Sequence, residues 1–207
     1  RRLLVTLPDH QELVEALFDY DLIGFQTEDS AGAFRDYVTG EIEGEMDDEG
    51  RARAFGRTAQ VGAFPIGLDI ENFEAAAHGE VALAEYERMV ASLNGREMIV
   101  GVDRLDYSKG LEERFAGFER FMADNPDLRR EVLMLQIAPL SRDQVEAYQE
   151  IRARLDALSG RINGEYADID WTPVRYVNKT YRRDQLAGLY RAAQVGLVTP
   201  KRDGMNL

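Results

Sequence analysis

The pattern of hydrophobic and polar positions becomes regular from about residue 97 onward. Short apolar runs, each predicted to be a strand, alternate there with segments whose apolar residues recur at helical spacing. The predicted strands are EMIVGVD (97–103), EVLMLQIAP (131–139), PVRYVN (173–178) and QVGLVTP (194–200), and the predicted helices are GLEERFAGFERFMADNP (110–126), SRDQVEAYQEIRARLDALSG (141–160) and RRDQLAGLYRAA (182–193). This alternation predicts parallel βαβ units, and nearly continuous apolar strands predict a sheet covered on both faces.

Two of these helices have clear apolar faces. The face of the first is Leu111, Phe115, Phe118 and Met122, and that of the second is Val145, Tyr148, Ile151, Leu155 and Leu158. Ser141 and Gln144 fit a capping box at the start of the second helix, and Gly160 is expected to end it.

The first part of the chain has a weaker pattern. It predicts a helix over 8–20 with Asp9 and Glu12 as a capping box, a strand over 21–27, and a helix capped by Asp29 or Ser30. Residues predicted to be buried in that second helix are Phe34, Tyr37 and Val38. The acidic run EIEGEMDDEG (41–50) is predicted to be a solvated loop, residues 59–69 a strand, and residues 80–94 a helix closed by Asn94-Gly95.

These elements predict an α/β fold in two parts. Residues 1–80 are expected to be the end of one α/β unit, residues 81–94 a linking helix, and residues 95–207 the first part of a doubly wound domain.

Composition excludes several classes of function. The formal net charge of -13 argues against nucleic acid or an anionic membrane surface as partner, yet a small phosphate needs only one local basic cluster. No run approaches the roughly 18 apolar residues of a membrane span. The absence of Cys excludes disulfides and thiolate chemistry, and the widely separated His10 and His78 are expected at the surface, so no metal site is predicted.

In open α/β sheets a ligand binds beyond the carboxyl ends of the strands, so the loops after the predicted strands form the candidate site. Arg104 and Lys109 follow the first strand, Arg142 the second, residues 178–181 the third and residues 201–206 the fourth. Three of these loops carry Arg or Lys near a helix N-terminus, which favours anions through its unpaired N–H groups and macrodipole. The pattern indicates a phosphate ligand.

Each candidate also has a structural interpretation. Arg104 is alternatively a partner of Asp103 or Asp106 with Lys109 solvated, and the residues alone favour neither interpretation. Arg142 is alternatively paired with a neighbouring acid. Asp203 is suited to accept hydrogen bonds from sugar hydroxyls, but an ordinary Asp-Gly turn explains it equally well.

The stretches DYDLIGFQT, DRLDYSKGLEERF, QIAPLSRDQVEAYQEIR, GRINGEYADIDWTPVRY and VGLVTPKRDGMNL resemble the trehalose-6-phosphate synthases of glycosyltransferase family 20. The resemblance runs in order over nearly the whole chain. It implies the GT-B architecture, two Rossmann-like domains facing across a cleft. This chain would hold the end of the N-terminal, acceptor-side domain and about half of the C-terminal, nucleotide-sugar-binding domain.

The resemblance also implies a role for each site residue. Arg104 and Lys109 would hold the diphosphate of UDP-glucose and stabilise its growing charge, and Arg142 would reach the phosphate of glucose 6-phosphate. Tyr181 would lie where uracil is contacted, mainly through main chain, and Asp203 would face the donor glucose. The backbone lining glucose and diphosphate would be that of Gly204, Met205, Asn206 and Leu207. The implied front-face mechanism retains configuration and needs neither a protein nucleophile, a cofactor nor a metal.

The chain is expected to be a piece of a longer protein and to be inactive alone, because the family's N-terminal acceptor-binding residues and its ribose-binding acid are not among these 207 residues. Two alternatives stay open. One is a non-catalytic regulatory subunit of a trehalose synthase complex, and the other is a related synthase with another phosphorylated acceptor, such as glycerol phosphate. The resemblance and composition favour a cytoplasmic protein and are compatible with a homo-oligomer.

Overall fold

The structure is a computed structural model that describes residues 4–140 and 146–201. The helices are α1 His10–Leu17, α2 Glu28–Glu41, α3 Ile70–Ala77, α4 Glu80–Leu93, α5 Leu111–Asp124, α6 Glu146–Tyr166 and α7 Arg183–Ala192. The strands are β1 Leu22–Phe25, β2 Glu45–Met46, β3 Arg51–Ala54, β4 Arg57–Ala63, β5 Glu97–Val102, β6 Val132–Ile137, β7 Val174–Val177 and β8 Val195–Gly196. Short 3-10 turns lie at Leu4–Thr6, Tyr107–Lys109 and Pro126–Leu128.

The chain forms two compact units that divide after Leu68, whereas the sequence placed the boundary at residue 80. The difference arises because α3 and α4 both pack on α7 and so belong to the second unit. The contact between α4 and α7 is very close, since a Cβ on Gly188 would collide with the backbone of Ala82. The acceptor-side and donor-side roles that the resemblance implies for the two units stay predictions.

The first unit contains a four-stranded mixed sheet in the order β1-β4-β3-β2. Strand β1 is parallel to β4, while β3 pairs antiparallel with both β4 and β2. A core cluster built on Phe18, Phe34, Tyr37 and Val61 packs against this sheet. It includes the three residues of α2 that the sequence predicted to be buried.

The second unit contains a four-stranded, entirely parallel sheet in the order β7-β6-β5-β8. Alternate strand residues feed two separate clusters, as expected for a sheet covered on both faces. Met134 and Val174 pack with α5 and α6, whereas Met98 and Leu135 pack in the cluster that contains Leu189 of α7. The α/β class and the doubly covered sheet are therefore as predicted.

Three local predictions in the first unit need correction, one of a loop and two of helix caps. The acidic stretch 41–50 is not wholly a loop, because β2 within it pairs with β3. The first helix has Asp9 at its N-cap, but its side chain makes no capping hydrogen bond. Helix α2 is capped by Thr27, which accepts from the Ser30 amide at 3.2 Å, rather than by Asp29 or Ser30.

Two predictions in the second unit also need correction. Helix α6 continues through Gly160 to Tyr166, because Ile162 anchors its last turns in the core. The strand predicted over 194–200 is reduced to two residues, Val195 and Gly196. Helix α3, whose N-cap is Asp69, was not predicted.

Both histidines were expected at the surface. His78 is exposed as expected, but His10 is half-buried, with its Nδ1 atom 2.6 Å from the Tyr37 hydroxyl. Across residues 4–140 and 146–201, no helix combines the length and apolar character needed to cross a bilayer.

Candidate functional site

The candidate site lies at the point in the parallel sheet where the order of successive strands reverses. The chain passes from β5 to β6 and β7 on one side, and then returns to place β8 on the other side of β5. The ends of β5 and β8 therefore lie side by side at a topological switch point, where open α/β sheets bind ligands. The loops that follow these two strands are also joined, because the Lys201 amide donates to the Ser108 carbonyl at 2.8 Å.

Arg104 is exposed at this edge and makes no ion pair or hydrogen bond with the described residues. The alternative that it pairs with an adjacent acid does not hold within this part of the chain. Asp103 is bound instead by Arg114, at 2.6 Å. Asp106 accepts from the Ser108 amide at 2.8 Å, the Ser108 hydroxyl at 2.7 Å and the Tyr148 hydroxyl at 3.1 Å.

Lys109 is half-buried and closes the 3-10 turn Tyr107–Lys109 directly before α5. The turn forms because Asp106 caps it through the Ser108 amide. Gly110 then takes a left-handed conformation, φ 64° and ψ 33°, in which the chain enters the helix. A Cβ at Gly110 would collide with the Thr199 carbonyl, so glycine is required both for conformation and for the close approach of the two loops.

The carboxyl of Asp106 is held in its charged form. Burial by itself raises its pKa, but the hydrogen bonds from Ser108 and Tyr148, together with the positive charge of Arg104, outweigh that effect. Its pKa is therefore lowered from the ordinary 3.8. A charged Asp106 stabilises the turn that presents Lys109.

A buried arginine beneath the two loops was not identified from the sequence. The side chain of Arg114, on α5, is 0% exposed. Its guanidinium donates to Asp103 Oδ2 at 2.6 Å, to Gln136 Oε1 at 2.7 Å and to Thr199 Oγ1 at 3.0 Å. Gly101 makes room for it, since a Cβ there would meet both the guanidinium and the Gln136 amide.

Lys201, the described cation of the loop after β8, is already paired. Its Nζ atom lies 2.5 Å from Glu113 Oε1 on α5. The hydrogen bond from Lys201 is the main reason that the pKa of Glu113 is lowered. Arg104 and Lys201 thus differ, although both are basic residues in loops that leave the same sheet edge.

Comparison with known proteins shows to which protein family the chain belongs. Residues 3–207 match the model of glycosyltransferase family 20. The chain is 42% identical over 205 residues to a trehalose-6-phosphate synthase from Enterobacter sp. (strain 638), covering 99% of this chain and 43% of that protein. It is 41% identical over 204 residues to one from Sinorhizobium fredii, covering 99% and 44%. The chain belongs to glycosyltransferase family 20.

Solved structures agree with this family assignment. A UDP-forming trehalose-phosphate synthase from Burkholderia xenovorans, in complex with glucose 6-phosphate, is 47% identical with a TM-score of 0.95. A trehalose-6-phosphate protein from E. coli, bound with UDP-2-fluoro glucose, is 39% identical with a TM-score of 0.94. Each comparison covers 100% of this chain and 46% of the other. The chain thus spans less than half the length of the family 20 proteins it matches.

The other predicted site residues of this family 20 chain are only partly described. Tyr181 is half-buried and packs against the core cluster that contains Leu189, and it interacts with Arg88 of α4. Its side chain is therefore occupied within the fold. Arg142, Asp203, Gly204, Met205, Asn206 and Leu207, with the capping residues Ser141 and Gln144, lie outside the described residues.

A pocket of about 260 Å³ adjoins the Asp106 turn on the side of α6. Its lining is Leu105, Leu140, Tyr148, Gln149, Arg152, Ala153 and Asp156. Tyr148 lines this pocket and also donates its hydroxyl hydrogen bond to Asp106. Within residues 4–140 and 146–201, no group of three or more His, Asp and Glu is arranged to hold a metal ion.

Proposed function

We propose that a protein carrying this chain is a retaining glucosyltransferase that transfers glucose from UDP-glucose to glucose 6-phosphate, giving trehalose 6-phosphate and UDP. The names of its family 20 relatives support this activity. So do the glucose 6-phosphate and UDP-2-fluoro glucose bound to the solved structures from B. xenovorans and E. coli.

The observation that carries the proposal is the charge of Arg104. Both carboxylates of its own loop are engaged, Asp103 by Arg114 and Asp106 by Ser108 and Tyr148. An exposed guanidinium at the switch point is thus left for a ligand. Arginine presents a planar fork of donors that matches phosphate oxygens, and Lys109 adds a second positive charge at the start of α5.

These two cations favour departure of the nucleotide. As the bond between the glucose anomeric carbon and the diphosphate oxygen breaks, negative charge builds on UDP, and Arg104 and Lys109 stabilise it. The acceptor hydroxyl bonds to the same face of that carbon and gives its proton to the departing phosphate. No covalent intermediate with the protein is needed, and positioning of donor and acceptor supplies much of the remaining rate.

Other contacts are assigned on motif alone. Arg142 would bind the phosphate of the acceptor, Asp203 the donor glucose, and the backbone of residues 204–207 both glucose and diphosphate. The chain near Tyr181 would contact uracil through its main chain, which fits a side chain already occupied by packing and by Arg88.

The test is an assay of UDP release and trehalose 6-phosphate formation by a protein in which this chain is joined to the rest of the family's length. The Arg104→Ala, Lys109→Ala double variant is expected to lose activity by on the order of 10³-fold or more, with an unchanged unfolding midpoint. The matched control is the Arg120→Ala, Arg154→Ala double variant. These two arginines lie on α5 and α6, and both form ion pairs at the surface.

Each possible result of this assay tests a different part of the proposal. No trehalose 6-phosphate from folded wild-type protein would contradict the proposed reaction, and a panel with glycerol phosphate and cyclitol phosphates would then separate another acceptor from a regulatory subunit. Retention of activity by the double variant would contradict the role of the cations. The 207-residue chain, assayed alone, is expected to be inactive.

A cytoplasmic location and a homo-oligomeric state complete the proposal. They are checked by fractionating cells that make the protein and by light scattering of the purified protein.

A further inference from the structure

We propose that Arg114 is a positioning residue for the transfer reaction, holding in place the two loops that carry the donor-binding groups. This inference rests on the proposed function. It concerns a residue that does not reach the ligand itself, because its side chain is 0% exposed. Its role would be to prevent Asp103 from neutralising the positive charge of Arg104. It would also hold the loops after β5 and β8 in fixed positions relative to each other.

Arg114 contacts three segments that are distant in sequence, at Asp103 after β5, Gln136 in β6 and Thr199 after β8. These are the two strands that flank the switch point and their neighbour. One guanidinium therefore joins the elements between which a ligand of an open α/β sheet binds.

A buried ion pair is weak evidence of stability, because desolvation of both charges offsets most of their attraction, and apolar residues of similar volume often stabilise a fold as well. The other strongly buried positions of α5 are Leu111, Phe115, Phe118 and Met122, all apolar. A charged side chain in that row, directly under the candidate site, indicates a function other than packing.

Asp103 immediately precedes Arg104, and without Arg114 its carboxylate would be available to neutralise Arg104 or to repel a diphosphate. The buried pair at 2.6 Å removes that negative charge from the sheet edge. The positive charge of Arg104 is then directed outward, where the proposed donor would lie.

Thr199 receives the Nε hydrogen bond of Arg114, and its hydroxyl lies 3.4 Å from the Gly110 carbonyl. Two residues later, the Lys201 amide is bound to Ser108. A shift of Thr199 would therefore reach both the turn that presents Lys109 and the chain that leads to Asp203.

The test compares Arg114→Gln, Arg114→Lys and Thr199→Val with the wild type in the full-length protein, with Arg120→Ala on the same helix as control. Kinetics give kcat and KM for each substrate, unfolding midpoints report stability, and hydrogen exchange reports the amides of Ser108, Lys109 and Lys201. Thr199→Val is nearly isosteric and removes only the hydroxyl, which accepts from Arg114 and donates to the Gly110 carbonyl, so it stays informative if Arg114→Gln does not fold.

We expect Arg114→Lys to recover most of the unfolding midpoint lost in Arg114→Gln, since it restores a charge beside Asp103. Its kcat is nevertheless expected to stay lowered on the order of 100-fold, because an ammonium cannot span three acceptors and a small misplacement of reacting groups is costly. Thr199→Val is expected to lower kcat by about 10-fold. In both variants the amides of Ser108 and Lys201 should exchange faster, and Arg120→Ala should match the wild type.

The inference is overturned if kcat returns with stability in Arg114→Lys, which is the behaviour of a purely structural ion pair. Wild-type kcat and wild-type exchange in Thr199→Val would also overturn it. An inactive wild type would instead contradict the proposed function. The exchange of Ser108 and Lys201 would then still decide whether Arg114 holds the loops.

Discussion

The two units share a parallel strand pair followed by helices, yet the edges of their sheets differ in chemistry. In the first unit, the segment after β4 exposes apolar side chains, with Phe64 53% and Ile66 54% exposed. In the second unit, the segment after β5 contains Arg104, Asp106 and Lys109, with a buried Arg114 beneath it. Similar local structure therefore does not by itself bring cationic side chains to the ends of the strands.

The difference follows from sheet order. In the first unit β4 lies beside the antiparallel β3, which begins at the edge of the sheet at which β4 ends. In the second unit β5 has parallel neighbours on both sides, β6 and β8. Only the second arrangement has a topological switch point, which is where open α/β sheets bind ligands.

The largest effect on stability is expected from substitutions of two glycines, one in each unit. Gly110 (φ 64°) and Gly56 (φ 73°) are both left-handed, but only Gly110 is in close contact, with Thr199. Gly56→Ala in the β3–β4 turn should cost about 1 kcal/mol, from conformation alone. Gly110→Ala adds a collision with backbone and should cost at least about 2 kcal/mol.

Urea unfolding of the two variants, followed by a probe in each unit, measures the difference. Equal costs at Gly110 and Gly56 would mean that the two loops of the second unit are not in the close contact described.

An intermediate effect is expected at two turn carboxylates, Asp47 in the first unit and Asp106 in the second. The pKa of Asp47 is lowered mainly by the hydrogen bond from the Arg51 amide. That of Asp106 is raised by burial but lowered overall by Ser108, Tyr148 and Arg104. Both folded values lie below the ordinary 3.8, so the stabilisation is present above that pH and is lost as pH falls through the folded value.

Asp47→Asn and Asp106→Asn should each therefore weaken the loss of stability below about pH 4. Only Asp106→Asn should also reduce kcat at neutral pH, by on the order of 10-fold, because its turn presents Lys109. Unfolding curves between pH 2 and pH 7, together with an activity assay, check both statements. A kcat loss in Asp47→Asn, or none in Asp106→Asn, would break the comparison.

The smallest effect is expected at two tyrosines, the buried Tyr37 of the first unit and the half-buried Tyr176 of the second. The Tyr37 hydroxyl in the first unit lies 2.6 Å from His10 Nδ1, whereas the Tyr176 hydroxyl in the second is buried without a hydrogen-bond partner among the described residues. Tyr37→Phe should cost about 1 kcal/mol, the usual value of one hydrogen bond. Tyr176→Phe should leave stability unchanged or slightly increased.

Burial raises the pKa of Tyr176 to about 12, above its ordinary 10. Its contribution to stability is therefore complete below pH 10 and is lost as pH rises toward 12, and Tyr176→Phe should remove that alkaline loss. Thermal unfolding at several pH values measures it. A clear destabilisation of Tyr176→Phe at neutral pH would reveal a hydrogen bond of that hydroxyl.

The second unit was more predictable than the first because its signals are local. Apolar runs bounded by turn residues fixed β5, β6 and β7, and the spacing of Leu111, Phe115 and Phe118 fixed α5. The first unit depends on pairings instead. Strand β3, RARA in sequence, has no apolar alternation beyond alanine and is held as a strand by β4 on one side and β2 on the other.

The β3–β4 turn shows the same limit. Phe55 and Gly56 both have positive φ, as a two-residue hairpin turn requires, but Phe-Gly is a weak signal compared with Asn-Gly or Asp-Gly. Gly160 is the opposite case. Its sequence indicated a helix end, yet packing of Ile162 continued α6 beyond it, since tertiary contacts outweigh about 1 kcal/mol of glycine propensity.

The sequence by itself determined the parallel architecture and the position of Arg104 and Lys109 between a strand and a helix, because those features depend on residues close together in the chain. Only the tertiary structure decided which charges are neutralised. Asp103 could pair with the adjacent Arg104 or with Arg114 eleven positions away. The choice was made by Gln136 in β6 and Thr199 in the loop after β8, because their hydrogen bonds to the buried guanidinium offset part of the cost of burying its charge.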